Sequence, residues 1–275
     1  VEQDIMDVWK VKILYYGKIQ ISKLALSPGF DVGLIIDVPY LGFLLQNGKR
    51  NILVDTGPSK QVLTDGRGWG GFPADVGEKS LEIALMNSSL KPGDIDTILF
   101  THLHYSHAGN LEAFANAQLI FQRDEWTALL DPLSLVDLGK DYDPGLIEIL
   151  KPMNCLKVDG DLDLTDGIRI IKTPGHTPGS QSIVIRTQKG NKVIVGDHWP
   201  LYFMAFPRQE FLDMYGNRHR ITPSPKTFGG FMPTNLICDY HDYYASCQKI
   251  KALMEVGSSE SLIPGHEASL LIEEA

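Results

Sequence analysis

Thr101-His102-Leu103-His104-Tyr105-Ser106-His107-Ala108-Gly109-Asn110 carries three histidines at the spacing H-x-H-x-x-H. The residues before it, Asp96-Thr97-Ile98-Leu99-Phe100, read as a short buried strand. The imidazoles therefore fall at a strand end, where binding residues are commonly presented. Neutral imidazole binds zinc and other first-row metals, and histidines this close together converge on a small volume without a long loop. The segment reads as a metal site. The bland reading is three unrelated surface or core histidines.

Three downstream pieces weigh against the bland reading. Thr173-Pro174-Gly175-His176-Thr177-Pro178-Gly179-Ser180 sets one histidine inside a rigid Pro/Gly turn, which fixes a ligand better than it packs a side chain. Val193-Ile194-Val195-Gly196-Asp197 is a β-branched run ending in a carboxylate, and Leu262-Ile263-Pro264-Gly265-His266 ends a further apolar run in a fifth histidine. Each is weak alone; in this order they form a strong pattern.

With these pieces in place the chain resembles the metallo-β-lactamase superfamily of hydrolases. The likeness covers most of the chain and includes Asn51-Ile52-Leu53-Val54-Asp55-Thr56-Gly57 as the early D-T-G element. Within the superfamily the N-acyl homoserine lactonase group is the nearest likeness. That rests on softer features: Ser27-Pro28-Gly29-Phe30-Asp31, Phe121-Gln122-Arg123-Asp124-Glu125-Trp126 and Asp159-Gly160-Asp161. The resemblance implies an α/β fold, a four-layer αββα sandwich, with His102, His104 and His176 on a first metal. It implies His107 and His266 on a second metal, and Asp197 bridging the two as the catalytic carboxylate. Tyr202 lies near where the lactonase group carries a tyrosine that contacts substrate, and is a second catalytic candidate. One or two zinc ions are the implied cofactor, with manganese or iron as alternatives. The chain departs from the family's H-x-H-x-D-H at Ser106. A neutral hydroxyl replaces a carboxylate there, so the second site is expected to hold metal more weakly, and a mononuclear enzyme is one outcome.

Composition agrees with this reading. At 275 residues and 43% hydrophobic content the chain can bury a large core, and an α/β fold of this size is often one domain. The expectation is one domain over 1–275 with a substrate, lid or interface insertion around 201–238. A net charge of -9 argues against a nucleic-acid groove, because such surfaces are usually basic. Cys155, Cys238 and Cys247 are odd in number and lack C-x-x-C spacing, so neither a disulfide framework nor a zinc knuckle is indicated. No apolar run is long enough to cross a membrane, and Val1-Glu2-Gln3-Asp4 lacks the regions of a signal peptide. A cytoplasmic setting is the expectation, although the chain opens without methionine and a removed leader stays open.

Hydrophobic patterning suggests two β-then-α halves. Strands are predicted over 11–16, 42–46, 51–54, 117–122, 168–172, 181–186 and 192–195, with Asn47-Gly48-Lys49-Arg50 as a hairpin turn. Helices are predicted over 78–90, 124–130 and 240–255. The loop 58–77 holds Gly66-Arg67-Gly68-Trp69-Gly70-Gly71-Phe72, which lacks the G-K-[ST] of a phosphate loop. The stretch 201–238 is rich in aromatics and methionine, and reads equally as an apolar substrate pocket or a homodimer interface. Asp55 is expected to orient a ligand histidine or, equally, to cap the following turn. His198 should point away from the metal, and His219 and His241 read as surface or loop residues.

The implied chemistry is attack by metal-bound hydroxide on a lactone, ester or amide carbonyl of a small, partly apolar molecule, with the cation polarising that carbonyl. Thioester, β-lactam and phosphodiester bonds are alternatives, because the same nucleophile attacks each. A reading from another class is a ligand-binding or sensor protein that kept the fold while Ser106 weakened catalysis.

Overall fold

The computed structural model describes residues 8–27, 29–59, 66–134, 141–254 and 259–273. Two long strands, β1 (Lys10–Ser22) and β2 (Ile35–Gln46), pair antiparallel from Lys10 opposite Gln46 to Ser22 opposite Ile35. Their register shifts between Tyr15 and Gly17, and Gly17 takes the positive φ of +136° that the bulge requires. Asn47 then turns the chain into β3 (Asn51–Val54), its Oδ1 accepting the amides of Lys49 and Arg50.

From β3 onward the first sheet is parallel. Short runs at β5 (Thr97–Leu99), β6 (Gln118–Gln122) and β7 (Cys155–Val158) add in turn, and β4 (Ala74–Asp75) closes the far edge, giving the order β4-β1-β2-β3-β5-β6-β7. Ile52, Leu53, Val54, Ile98, Leu99, Leu119 and Ile120 are wholly buried, as expected where a parallel sheet is covered on both faces. The second sheet runs β14 (Leu262–Ile263), β11 (Gly190–Ile194), β10 (Gln181–Thr187), β9 (Ile168–Lys172) and β8 (Leu162–Thr165). It is antiparallel except where β14 joins β11. Buried side chains of both sheets form one continuous hydrophobic cluster.

The helix Ser80–Met86 packs on β1, and Arg123–Leu130 follows β6 and lies against β6 and β7. The helix Tyr240–Leu253 starts at an Asp239 cap that accepts the Asp242 amide at 2.8 Å, and buries Tyr243, Ser246, Cys247 and Ile250 at helical spacing. Among the described residues no helix is long and apolar enough to cross a membrane.

Most predicted elements stand, with shifted ends. The helix expected over 78–90 stops at Met86, and a turn with Ser89 at φ +58° follows. Strands β7 and β8 and the hairpin of β12 (Glu210–Leu212) with β13 (Arg218–Arg220) are only three or four residues long, too short for alternation to mark them in the sequence. The aromatics of 201–238 are also placed differently from either expectation. Phe203, Met204, Phe211, Phe231 and Met232 are buried in the protein's own core, while Tyr215 is exposed. The stretch is thus largely a packing element.

The strands deliver their following turns to one place. Asp55 follows β3, Thr101 and the histidine cluster follow β5, the T-P-G-H turn follows β9, Asp197 follows β11, and His266 follows β14. The T-P-G-H turn is wedged under the helix Tyr240–Leu253. A Cβ on Gly175, whose φ is +128°, would lie 2.3 Å from the Cα of Tyr243. Gly175→Ala should therefore cost about 3 kcal/mol, combining backbone strain with overpacking against an immovable wall. Urea denaturation of the variant checks this, and an unchanged midpoint would contradict the close packing of turn and helix.

Candidate metal centre

Two buried carboxylates shape the centre before any ligand is considered. Asp55 sits at φ +57° directly after β3 and reaches across to the neighbouring strand end. Its Oδ1 accepts the Thr101 amide at 2.8 Å, and its Oδ2 accepts the Thr101 hydroxyl and the His107 Nδ1–H, each at 2.8 Å. Glu125 ties the histidine cluster to the T-P-G-H turn. It accepts the Leu103 amide at 2.9 Å and the Tyr142 hydroxyl at 2.8 Å on Oε1, and the Thr177 hydroxyl at 2.6 Å and the Gly179 amide at 3.1 Å on Oε2. Burial pushes the Glu125 carboxyl up, and its four donors oppose that shift.

Four of the five candidate imidazoles, those of His102, His107, His176 and His266, then have their outward nitrogen occupied. His176 Nδ1 donates to the Leu236 carbonyl at 2.8 Å, His266 Nδ1 to the Pro39 carbonyl at 2.7 Å, and His102 Nδ1 to the Thr101 hydroxyl at 3.1 Å. These bonds assign the tautomers and leave Nε2 as an acceptor turned inward. His104 packs its ring edge-on against Tyr142, with centroids 4.7 Å apart.

The inward atoms meet around Asp197. Its Oδ1 lies 3.2 Å from His107 Nε2 and 3.0 Å from His266 Nε2, while Oδ2 lies 3.9 Å from His102 Nε2 and 3.8 Å from His176 Nε2. Ligands bonded to a tetrahedral zinc at about 2.0–2.1 Å are about 3.3 Å apart, and these separations bracket that value. Two sets of ligand atoms lie within 4.8 Å of one another: His102, His104 and His176, and His102, His107 and Asp197.

Burial holds His102, His104 and His176 below the usual imidazole range, so they are neutral donors at neutral pH. Burial also opposes charge on His107, but Asp197 and Asp55 on either side outweigh it and raise its pKa to about 10. Asp197 is held well below the usual carboxylate range because His266 and His107 overcome the cost of its burial. A metal at this point would displace the His107 proton.

Whether the residues fit a metal is decided by atoms left without partners. His102 Nε2, His107 Nε2, His176 Nε2 and Asp197 Oδ1 are all buried and none makes a hydrogen bond. An unsatisfied buried polar group costs about 1–3 kcal/mol, so four at one point is a heavy penalty unless a cation takes their lone pairs. The donor set, imidazole with one carboxylate, suits zinc.

A cavity opens onto this centre. Ile19, Ile21, Ala25, Leu26 and Val38 form its apolar wall, facing His104, His176, Asp197 and His266 together with Trp69, Tyr105, Ser106 and Asp141. Trp69 brings the glycine-rich loop to the cavity wall. The aliphatic wall, carried by β1, β2 and the short helix Lys23–Leu26, lay in no element predicted from the sequence. Ser106 lines the cavity, and its hydroxyl makes no hydrogen bond among the described residues.

Tyr202 requires a correction. The helix Tyr202–Ala205 carries its ring behind β14, where the hydroxyl donates to the Leu262 carbonyl at 2.9 Å and Arg208 covers the ring. It lines a separate cavity with Arg208, Phe211 and Glu267, so a substrate contact by Tyr202 is not supported. His198 turns away as expected, with Nε2 3.3 Å from Cys247 Sγ, its ring stacked on Tyr243 and its pKa lowered by burial to about 3. His219 pairs with Asp213 at 2.8 Å, and His241 is exposed.

Comparison with known proteins agrees with this geometry. Residues 37–200 match the model of the metallo-beta-lactamase superfamily, and the chain belongs to that superfamily. An N-acyl homoserine lactonase of a Bacillus species is 32% identical over 196 residues, covering 67% of this chain and 74% of the relative. The fold matches the structure of an N-acyl homoserine lactone hydrolase with the product N-hexanoyl-L-homoserine at its catalytic metal centre. The TM-score there is 0.74 at 22% identity, covering 98% of this chain and 97% of the other. A dizinc quorum-quenching lactonase matches with a TM-score of 0.67 at 17% identity, covering 95% and 88%. The protein is a metallo-hydrolase of the αββα type, similar to the N-acyl homoserine lactonases.

Removing the Asp55 carboxylate would release His107 and Thr101 together. Asp55→Ala should lower metal affinity at the His107 side by about 10–100-fold. Calorimetric zinc titration of both proteins checks this, and identical isotherms would show that Asp55 does not orient His107 for metal.

Proposed function

We propose that the protein is a zinc-dependent lactonase acting on a lactone with an apolar substituent. The observation that carries this reading is the set of unpartnered buried atoms on His102, His107, His176 and Asp197, facing a cavity whose other wall is aliphatic. His102, His104 and His176 hold a first ion. His107 and His266 hold a second, and Asp197 stands between them with one oxygen toward each set. When bound, zinc supplies a Lewis acid for the carbonyl and a water whose pKa falls towards about 7.

The chain's own residues provide the rest. The Asp197 side chain is 14% exposed, and its carboxylate orients the attacking water by accepting a hydrogen bond from it. Ile19, Ile21 and Val38 bind the substrate's apolar part and exclude water from that side. Asp55 and Glu125 hold the strand-end turns in place, so the ligands need no rearrangement during turnover.

The direct test compares metal-loaded and chelator-stripped protein on N-acyl homoserine lactones, with esters and amides as controls. Lactone opening by the loaded form alone is expected. In His104→Ala, turnover should fall more than about 100-fold together with loss of one zinc, while the circular dichroism spectrum is kept. Equal turnover by the loaded and stripped forms would contradict the reading.

Ser106 is proposed to leave the second site weaker than the first, because a neutral hydroxyl gives a cation less attraction than a carboxylate. Ser106→Asp should tighten the second zinc by about tenfold or more, seen as a shift of the weaker step in a calorimetric titration. Two equally tight sites in the native protein, unchanged by the substitution, would show that another residue supplies the missing ligand.

A further inference from the structure

Asp141 is a second carboxylate in the same cavity, and neither ligand set includes it. Its backbone is fixed to the histidine cluster. The Asp141 carbonyl accepts the Tyr105 amide at 2.7 Å, and the next residue, Tyr142, lies against the His104 ring. Asp141 also lines the wider groove on the other side of the centre, which shares His104, His176 and Leu236 with the first cavity.

The carboxylate is only partly satisfied. Asp141 is 2% exposed, and its Oδ1 accepts the Trp69 indole N–H at 2.5 Å. Its other oxygen accepts no bond, and no cation pairs with it, among the described residues. A carboxylate offers about four acceptor positions, and one is used here. Burial, with Asp197 adding to it and the Trp69 bond opposing it, pushes its pKa up to about 6, which leaves it ionised at neutral pH. An ion in that position is costly to cover with an apolar group and is relieved by a donor.

We propose that Asp141 is a specificity-determining residue that accepts a substrate N–H lying beside the scissile carbonyl, on the oxygen that Trp69 leaves free. This rests on the lactonase reading and deepens it by naming the side chain that would recognise the amide of such a lactone. A bond from a neutral donor to a charged acceptor in a site built for it discriminates about tenfold to hundredfold against an analogue lacking the donor.

The test uses metal-loaded protein and two lactones of equal length, one with the amide N–H and one with CH2 in its place. The native enzyme should favour the amide by about tenfold or more in kcat/KM. In Asp141→Asn, Trp69 Nε1 holds the side-chain oxygen and turns the NH2 toward the substrate, so the ratio of kcat/KM for the amide over the CH2 analogue should fall to near one. Trp69→Phe removes the indole donor but keeps the carboxylate, and should retain the preference; this separates recognition from a merely structural latch. Equal preference in native and Asp141→Asn proteins, or loss of preference in Trp69→Phe alone, would overturn the proposal. If the native protein opens neither lactone, the lactonase reading fails by itself. Calorimetric binding of the same two compounds then decides Asp141, by an amide preference lost in Asp141→Asn or by equal affinities throughout.

Discussion

Everything near the centre depends on keeping the inward atoms of His102, His107, His176 and Asp197 buried and unpaired. Left alone that arrangement is unstable, because buried polar atoms without partners and closely packed rings such as His102 and His107, 4.2 Å apart, have no internal compensation. The fold tolerates it because each ring is held from behind. Thr101, Asp55, Leu236 and Pro39 take the outward nitrogens of His102, His107, His176 and His266. The protein thus spends stability on a constellation that a cation can recover, and the ligands are in place before it binds.

That constraint explains the architecture around it. Strands from both sheets end at the same edge, so residues far apart in sequence are brought together by turns rather than by flexible loops. Glu125 joins two of those turns through four hydrogen bonds, and the absence of a side chain at Gly175 and Gly179 lets the T-P-G-H turn approach Tyr243 and Glu125 closely. The apolar wall of Ile19, Ile21 and Val38 belongs to the two long strands and is as fixed as the ligands opposite it.

Much of this was legible in the sequence because the ligands sit on short, rigid signatures. H-x-H-x-x-H, T-P-G-H, the Gly-Asp strand end and P-G-H each fix a side chain within a few residues, and the structure brings all six candidates together. Asp55 was legible too, as a carboxylate after a buried strand. Tyr202 was misplaced because its position was carried over on loose spacing, and one short helix is enough to bury the ring behind β14. The role of Asp141 had no local signal; it follows from the Trp69 contact across 72 residues, which no window of sequence displays. The aromatics of 201–238 were visible, but burial in the protein's own core and exposure to a ligand have the same composition.

The central claim is that the unpartnered atoms converge on metal. Zinc-edge anomalous diffraction from crystals of the metal-loaded protein tests it most directly. The account predicts a full peak among Nε2 of His102, Nε2 of His176 and the Asp197 carboxylate, with a weaker peak toward His107 and His266. A peak bound elsewhere, or none while these atoms keep their positions, would contradict it.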